Sequence, residues 1–346
     1  MINYVEAINH SGESLRCYLE NPDYSGFSIS NIDGLTPGKA NLGVHDLATL
    51  DGGLFRAAKL PPRNIVIDYI FHDYYGGRWV VPPGGGTPKW IEWNRSIEDA
   101  RNEFYKYFVV KKPVTLIFST DRHTYTISGY VESNEPEIFS DMEGAQVSII
   151  CPNPYFRLAD EGVGEGGVIS EPVFDQGGSF EFEWYNPIGE KTIRFNDRNE
   201  IQKSVITNIN YSGDVDTGVI FHVYVTGHLD YQYLDFEYYG ETDEELKTLM
   251  RFRNDLYNIM NGGGDHYENG LTDGDELIIS TVPREKYVIV IHDGIPINAF
   301  PCLRLVNEWI TMQKGSNVIR VATHPIDPSL PNVYVKMEYP ILIAGI

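Results

Sequence analysis

Apolar and polar residues alternate along most of this chain, and this period of two constrains the fold more than any other sequence feature. Ile65, Ile67 and Tyr69 are the apolar members of one such run, and PVTLIFS at 113–119 repeats the pattern. Successive side chains of a strand point to opposite faces, so the alternation predicts antiparallel strands with one buried face. The chain also has 23 Tyr and 16 Phe, which suit half-buried strand surfaces. The sequence therefore predicts a mainly β protein.

One segment of the first half has helical spacing instead. Ser96 and Asp99 have the spacing of a capping box, and apolar residues then recur every three or four positions as far as Phe108. Pro113 follows as a stop signal. We expect one helix over 96–108, with Phe104 buried against a sheet.

The stretch VVPPGGGTPKW, from Val80 to Trp90, interrupts the strands. Three consecutive glycines between prolines cannot form a core strand, so this stretch predicts a long loop or projecting arm. The candidate assembly residues at its tip are Pro82, Gly84, Gly85, Gly86 and Pro88.

A domain boundary follows CPNPYF at 151–156, where the chain enters the acidic, glycine-rich stretch ADEGVGEGG at 159–167. We therefore predict two domains, 1–158 and 168–346. Short strands separated by turns in the second domain predict a β-sandwich. These strands begin near Phe180, Ser204, Gly218, Glu276, Lys286, Asn317 and Asn332.

Two further features of the second domain predict local structure. Asp293-Gly294 is typical of a type I′ hairpin turn, because such a turn needs positive φ angles. Thr242 and Glu245 again have capping-box spacing, and the apolar residues after them recur at helical spacing as far as Asn261. This second pattern predicts a helix inserted between two strands of the sandwich.

No motif in the chain supports catalysis. A formal G-x-G-x-x-G match at 162–167 lacks the preceding strand and the following helix of a dinucleotide site, so we interpret it as a linker. With 49 acidic residues a glycosidase stays open, but no carboxylate pair has a spacing that would set the required separation. We expect a protein that is not an enzyme and has no cofactor.

The sequence also gives no support for a metal site or a disulfide. Cys17, Cys151 and Cys302 are far apart and odd in number, which favours a reducing compartment during folding. His222 and His228 are six residues apart with no further ligand pattern, and DVDTG at 214–218 departs from a calcium loop. We therefore expect ordinary strand and turn residues at these positions.

The charge balance limits the classes of partner. With 27 basic and 49 acidic residues the chain carries a net charge of -22, which repels phosphate backbones and anionic membranes. The sequence has neither a run of 18 apolar residues nor a signal-peptide pattern at its start. We expect no sequence-specific nucleic-acid binding and no membrane association.

Several segments resemble the distal tail proteins of long-tailed bacteriophages, a siphovirus-type tail component family. GLTPGKA at 34–40, DGGLF at 51–55 and PRNIVI at 62–67 resemble the opening of that family, and CPNPYF at 151–156 resembles the end of its first domain. Similar segments of the second domain are NYSGD at 210–214, GDELII at 274–279, the 293–294 hairpin, Trp309 and KGSNVI at 314–319.

The resemblance implies a structural virion protein of the tail tip or baseplate. Its N-terminal belt domain, a β-barrel or sheet with one helix, would form a ring of usually six copies that joins the tail tube to the receptor-binding apparatus and lets DNA pass. Its C-terminal domain would be an outward-facing, galectin-like β-sandwich. The implied partners are other copies of the chain, the tail-tube protein, and a tail-tip hub, fibre or receptor-binding protein. The implied location is the phage tail tip, after assembly in the bacterial host cytoplasm.

A carbohydrate-binding adhesion module that recognises host cell-wall glycans is the alternative hypothesis. Trp184, Tyr185 and Trp309 could stack on sugar rings, although aromatic side chains serve equally well in cores and protein interfaces.

Overall fold

The computed structural model describes residues 1–19, 25–46, 51, 53–80, 87, 89–138, 142–159, 168–172, 181–182, 193–195, 201–226, 231–242, 245–256, 270–305, 308–325 and 332–346. The chain divides into two compact units. One contains Met1–Glu161 together with Ile343–Ile346, and the other contains Val168–Leu342. The second predicted domain, 168–346, included the last four residues, whereas in the structure they belong to the first unit.

Up to residue 159, the described part of the first unit contains one helix, α1 (Ile97–Tyr107), and twelve strands. The strands are β1 (Ile2–Ile8), β2 (Ser14–Tyr18), β3 (Phe27–Asp33), β4 (Asn41–Asp46), β5 (Gly53–Lys59), β6 (Arg63–Phe71), β7 (Tyr74–Val80), β8 (Lys89–Arg95), β9 (Pro113–Thr120), β10 (Thr124–Glu137), β11 (Gly144–Cys151) and β12 (Phe156–Leu158).

The main sheet of this unit is antiparallel, in the order β2-β1-β9-β10-β11-β6-β3, with β12 paired to β10. In β6, every second residue from Arg63 to Phe71 is buried, which confirms the predicted alternation. The apolar members of this set, from Ile65 to Phe71, form the core together with residues of the neighbouring strands and of α1. One face of the sheet is therefore covered by the helix.

Helix α1 begins as predicted. The Ser96 hydroxyl accepts a hydrogen bond from the Asp99 amide, and the Asp99 carboxylate accepts one from the Ser96 amide, which completes the capping box. Phe104 and Ala100 are its buried residues. Within the described part of the chain, no helix has both the length and the apolar character needed to cross a membrane.

Two antiparallel ribbons of the first unit lie outside the main sheet. Strands β4 and β5 form one ribbon, and β7 and β8 form the other. The predicted arm, Val80 to Trp90, is the distal end of the second ribbon, because Val80 pairs with Lys89 there. Its tip at 81–86 and 88 lies outside the described residues.

The second unit consists of short strands in two sheets. They are β13 (Val168–Pro172), β14 (Glu181–Phe182), β15 (Ile193–Phe195), β16 (Ile201–Tyr211), β17 (Ile220–Thr226), β18 (Tyr231–Gly240), β19 (Thr248–Arg253), β20 (Glu276–Ser280), β21 (Tyr287–His292), β22 (Ile295–Asn298), β23 (Leu303–Leu305), β24 (Gly315–Pro325) and β25 (Asn332–Pro340). The last strand of the chain, β26 (Leu342–Ile343), pairs instead with β12 in the main sheet. Residues Phe300–Cys302 form a 3-10 turn between β22 and β23.

Sheet one of this unit has the order β13-β25-β17-β20-β21-β22, with β14 also paired to β25, and sheet two has the order β15-β16-β24-β18-β19-β23. The two sheets pack face to face, as shown by Phe221 of sheet one and Phe236 of sheet two, whose ring centroids are 4.7 Å apart. This is the predicted β-sandwich. Its predicted hairpin is confirmed too, since Asp293 and Gly294 adopt φ angles of 50° and 78° between β21 and β22.

The predicted second helix over Thr242 to Asn261 is wrong for Thr248–Arg253. Thr248–Arg253 is strand β19, with Thr248, Met250 and Phe252 buried and the residues between them facing outward. The apolar residues of this segment fit a period near 3.6 as well as a period of two. The pairing of β19 with β18, a strand the sequence analysis missed, decides between the two.

Candidate functional site

The β4–β5 ribbon presents an apolar face to solvent. Leu42 lies opposite Ala58, and Val44 lies opposite Phe55 beyond a register shift in the pairing. Because Leu42 and Val44 are two positions apart on β4, they and the residues opposite them share one side of the ribbon. Leu42 is 62 % exposed, Val44 55 % and Phe55 64 %. We call this set the ribbon face.

Such exposure is unusual for a two-stranded ribbon. An isolated hairpin is marginally stable in water, and large apolar side chains contribute roughly 1.5 to 3 kcal/mol each when they become fully buried. The ribbon face therefore has the properties of a surface that another protein covers. The ribbon face has a signal in the sequence, because Leu42 and Val44 alternate with polar or small residues. Such alternation by itself, however, predicts a face that is buried within the chain.

The charge of the ribbon also differs from that of the rest of the chain. Residues 39–59 contain Lys39, Arg56 and Lys59 against Asp46 and Asp51, which gives 3 − 2 = +1. The remainder of the chain then carries −22 − 1 = −23. A second copy of the chain is thus opposite in net charge to this ribbon.

The predicted assembly residues Pro82, Gly84, Gly85, Gly86 and Pro88 lie outside the described residues. The strands that flank them, β7 and β8, stay paired from Tyr74 and Arg95 up to Val80 and Lys89. Trp90, next to the tip, is 50 % exposed. The assembly role of this second ribbon stays a prediction.

Of the three predicted sugar-stacking residues, Trp184 and Tyr185 lie outside the described residues and Trp309 is half-buried. The ring of Trp309 lies 6.0 Å from that of Phe300, and the Lys286 ammonium lies 5.1 Å from its centroid. A sugar that stacks on the Lys286 side would have to displace this cation–π contact. Glycan recognition at Trp309 stays a prediction.

The three cysteines are free and buried, and burial raises the pKa of each thiol to about 12. Such thiols are poor nucleophiles and poor metal ligands. His222 contacts two carboxylates, with Nδ1 2.7 Å from Glu276 and Nε2 3.5 Å from Glu338. His228 lies outside the described residues.

The calcium-loop-like turn at 214–218 makes an ordinary surface contact, because Asp214 accepts a hydrogen bond from Lys314 at 2.8 Å. Among the described residues no group of three or more His, Cys, Asp or Glu is arranged to hold a metal ion.

No family model matches the sequence, and no curated protein matches it. The structure is similar to that of the Dit protein of phage SPP1, which is described as a paradigm of the hub adsorption apparatus in phages that infect Gram-positive bacteria. The TM-score is 0.59 at 11 % identity, and 98 % of each chain is covered.

Two other solved structures align with much of the chain at lower TM-scores. A structure of the phage P2 baseplate, in its activated conformation with calcium, gives a TM-score of 0.45 at 9 % identity, with 98 % of each chain covered. A carbohydrate-binding module of the β-sandwich superfamily gives 0.23 at 12 % identity, with 88 % of this chain and 97 % of that chain covered. The likeness to the SPP1 protein shows the fold, and the chain has the fold of a phage tail hub protein of the Dit type.

Proposed function

We propose that this chain is a non-catalytic structural component of a phage tail tip or baseplate. Its first unit assembles with other copies into a ring of six, which joins the tail tube to the tail-tip and receptor-binding apparatus and lets DNA pass. The observation that carries this proposal is the likeness to SPP1 Dit over 98 % of both chains. Because the likeness covers both units, it supports a role that uses the whole chain.

Electrostatics alone would oppose such a ring. Six copies at −22 each would carry six times −22, or −132 charges. Salt screens exposed charges beyond about 8 Å at physiological ionic strength, so the long-range part of this repulsion is weak. Apolar burial must supply the attraction, and the exposed ribbon face is a surface that can supply it.

The test measures self-association of the full chain by size-exclusion chromatography with light scattering, alone and with the tail-tube protein. Phe55→Ser removes the largest side chain of the ribbon face. Ile295→Ser in the second unit is the matched control, because Ile295 is 65 % exposed and Phe55 is 64 % exposed. We expect Phe55→Ser to weaken self-association by about tenfold or more, and Ile295→Ser to leave it unchanged.

Negative-stain electron microscopy of the associated species then gives the copy number. A chain that stays monomeric at high concentration with its tube partner present would contradict the assembly role. If Phe55→Ser and Ile295→Ser behave alike, the ring is held together by another surface, such as the second ribbon.

A further inference from the structure

The outward face of sheet two carries an unusual number of arginines for so acidic a chain. Leu234, Phe236 and their neighbours on β19 point into the core, so the alternate residues of these strands face outward. Arg251, Arg253, Arg304 and Arg320 lie among these outward residues, and their carboxylate partners are Asp235, Asp255 and Glu237. Four positive and three negative groups leave a local charge of +1, against −22 for the whole chain.

Two of these arginines are held in fixed positions. Arg251 on β19 donates from Nε and Nη2 to the two oxygens of Asp235 on β18, at 2.7 and 2.6 Å, and its guanidinium lies 4.8 Å from the Tyr233 ring centroid. Arg320 on β24 donates from Nε to Glu237 at 2.6 Å. Both carboxylates are buried beneath the arginines. These guanidinium groups are therefore already ordered in the folded protein, and they lose little further entropy when a ligand binds.

Arg304 is different, because it has an arginine as its cross-strand neighbour. It lies on the edge strand β23 directly opposite Arg251 and is exposed, and its side chain makes no hydrogen bond or ion pair with any residue that the structure describes. Like charges directly opposite each other destabilise a strand pair unless an anion lies between them. Arg251 keeps Nη1 free of described partners, so both residues can donate to a shared ligand.

We propose that Arg251 and Arg304 form a binding site for a phosphate group. Guanidinium groups that reach the ligand from two strands favour an anion whose oxygens point in several directions, as in a tetrahedral phosphate. A carboxylate can accept both of its hydrogen bonds from one guanidinium group, and Asp235 already accepts these bonds from Arg251. The phosphate belongs either to a free phosphate ion or to a phosphodiester, and the site is independent of ring formation by the first unit.

The experiment uses the whole 346-residue chain at low ionic strength. Inorganic phosphate, dimethyl phosphate and acetate are titrated separately while the arginine Nε–H signals are followed by NMR, with isothermal titration calorimetry as a second readout. Arg304→Gln removes the charge, and Arg304→Lys keeps the charge but removes the fork. Lys314→Gln is the matched control, because it neutralises another exposed cation of the same unit, paired with Asp214.

We expect millimolar binding of at least one of the two phosphates, with shifts of the Arg251 and Arg304 signals. Arg304→Gln should weaken it about tenfold or more, Arg304→Lys less, and Lys314→Gln should leave it unchanged. Tighter binding of dimethyl phosphate would identify a phosphodiester as the natural ligand, and tighter binding of inorganic phosphate would identify the free ion. The proposal is overturned by no binding, by equal or tighter binding of acetate, or by binding that Arg304→Gln does not weaken. Thermal melts of each variant confirm that it is folded.

Discussion

At the scale of single residues, Arg63 connects segments of the first unit that are far apart in sequence. Its Nε donates to the Pro154 carbonyl at 2.6 Å, its Nη1 donates to the carbonyls of Gly34 and Thr36 at 2.5 and 2.7 Å, and its Nη2 donates to the Ala344 carbonyl at 2.6 Å. The residue is 7 % exposed, and this burial lowers its pKa. One side chain thus satisfies four backbone acceptors from three segments.

We predict that Arg63→Met lowers the free energy of unfolding by on the order of 3 kcal/mol, because buried carbonyls lose charge-assisted hydrogen bonds. Urea unfolding of the full chain measures this change. Arg122→Met, at an exposed position of the same unit, is the control and should change stability by less than about 0.5 kcal/mol. Equal effects of the two variants would show that Arg63 contributes little.

A second residue-scale prediction concerns pH. The hydrogen bond between His292 Nδ1 and Asp275, 2.6 Å long, raises the pKa of His292 above its ordinary value of 6.5. A raised pKa in the folded state means that the contact stabilises the fold fully below the unfolded pKa. This stabilisation is lost as pH rises through the folded pKa.

Thermal melts of wild type and His292→Gln at about pH 5.5 and about pH 8.5 test this dependence. The wild type should exceed the variant in melting temperature more at the lower pH. The difference in melting temperature between the two proteins at each pH cancels the effect of groups that titrate in both. A difference in melting temperature that is constant, or that grows with pH, would contradict a stabilising contact between protonated His292 and Asp275.

At the scale of elements, two features stabilise helix α1: the capping box at its first turn and a cluster of aromatic rings around Phe104. The capping box fixes the first turn, and the Phe104 ring lies 4.8 Å from the rings of Tyr69 and Phe108, 5.1 Å from Phe71 and 5.5 Å from Phe27. Phe27, Tyr69 and Phe71 belong to β3 and β6, so the ring attaches the helix to the sheet.

Phe104→Ala should therefore cost about 3 to 5 kcal/mol of stability, because it leaves a cavity among four rings. Thermal and urea unfolding of the full chain measure the loss. Tyr105→Ala is the control on the same helix, since Tyr105 is exposed. A melting temperature that hardly changes in Phe104→Ala would mean that the cluster repacks around the missing ring.

At the scale of the whole molecule, the two units are not simple consecutive halves of the chain. After the last strand of the sandwich, Ile343–Ile346 belong to the first unit, where the Ile346 amide donates to the Leu35 carbonyl at 3.0 Å. Arg63 binds Ala344 in the same segment. The first unit is therefore complete only when the C-terminal tail is present.

A fragment of residues 1–158 should self-associate, because it keeps both ribbons and the sheet edges β2 and β3. It should also be less stable than the same unit in the full chain, because it lacks the tail. Light scattering tests association, and hydrogen exchange of the β6 amides compares stability with the full chain. A monomeric 1–158 fragment beside a self-associating 168–346 fragment would reverse the assignment of the assembly unit.

Local chemistry in the sequence determined several features of this protein by itself. The capping box started α1, the Asp293-Gly294 pair supplied the positive φ angles of the hairpin, and alternation identified which residues of β6 are buried. Each of these depends on neighbours within a few positions, so a sequence pattern is enough to predict it.

Only the tertiary structure decided the features that depend on distant partners. Strand β19 formed where helical spacing was also possible, because β18 and β23 supply its backbone hydrogen bonds. The ribbon face has the alternation of a buried strand, yet no residue in the described part of the chain covers its side chains. The pairing of Arg251 with Arg304 and the return of the tail to Arg63 join residues far apart in sequence. Register and long-range packing fix such contacts, and a local pattern carries no information about either.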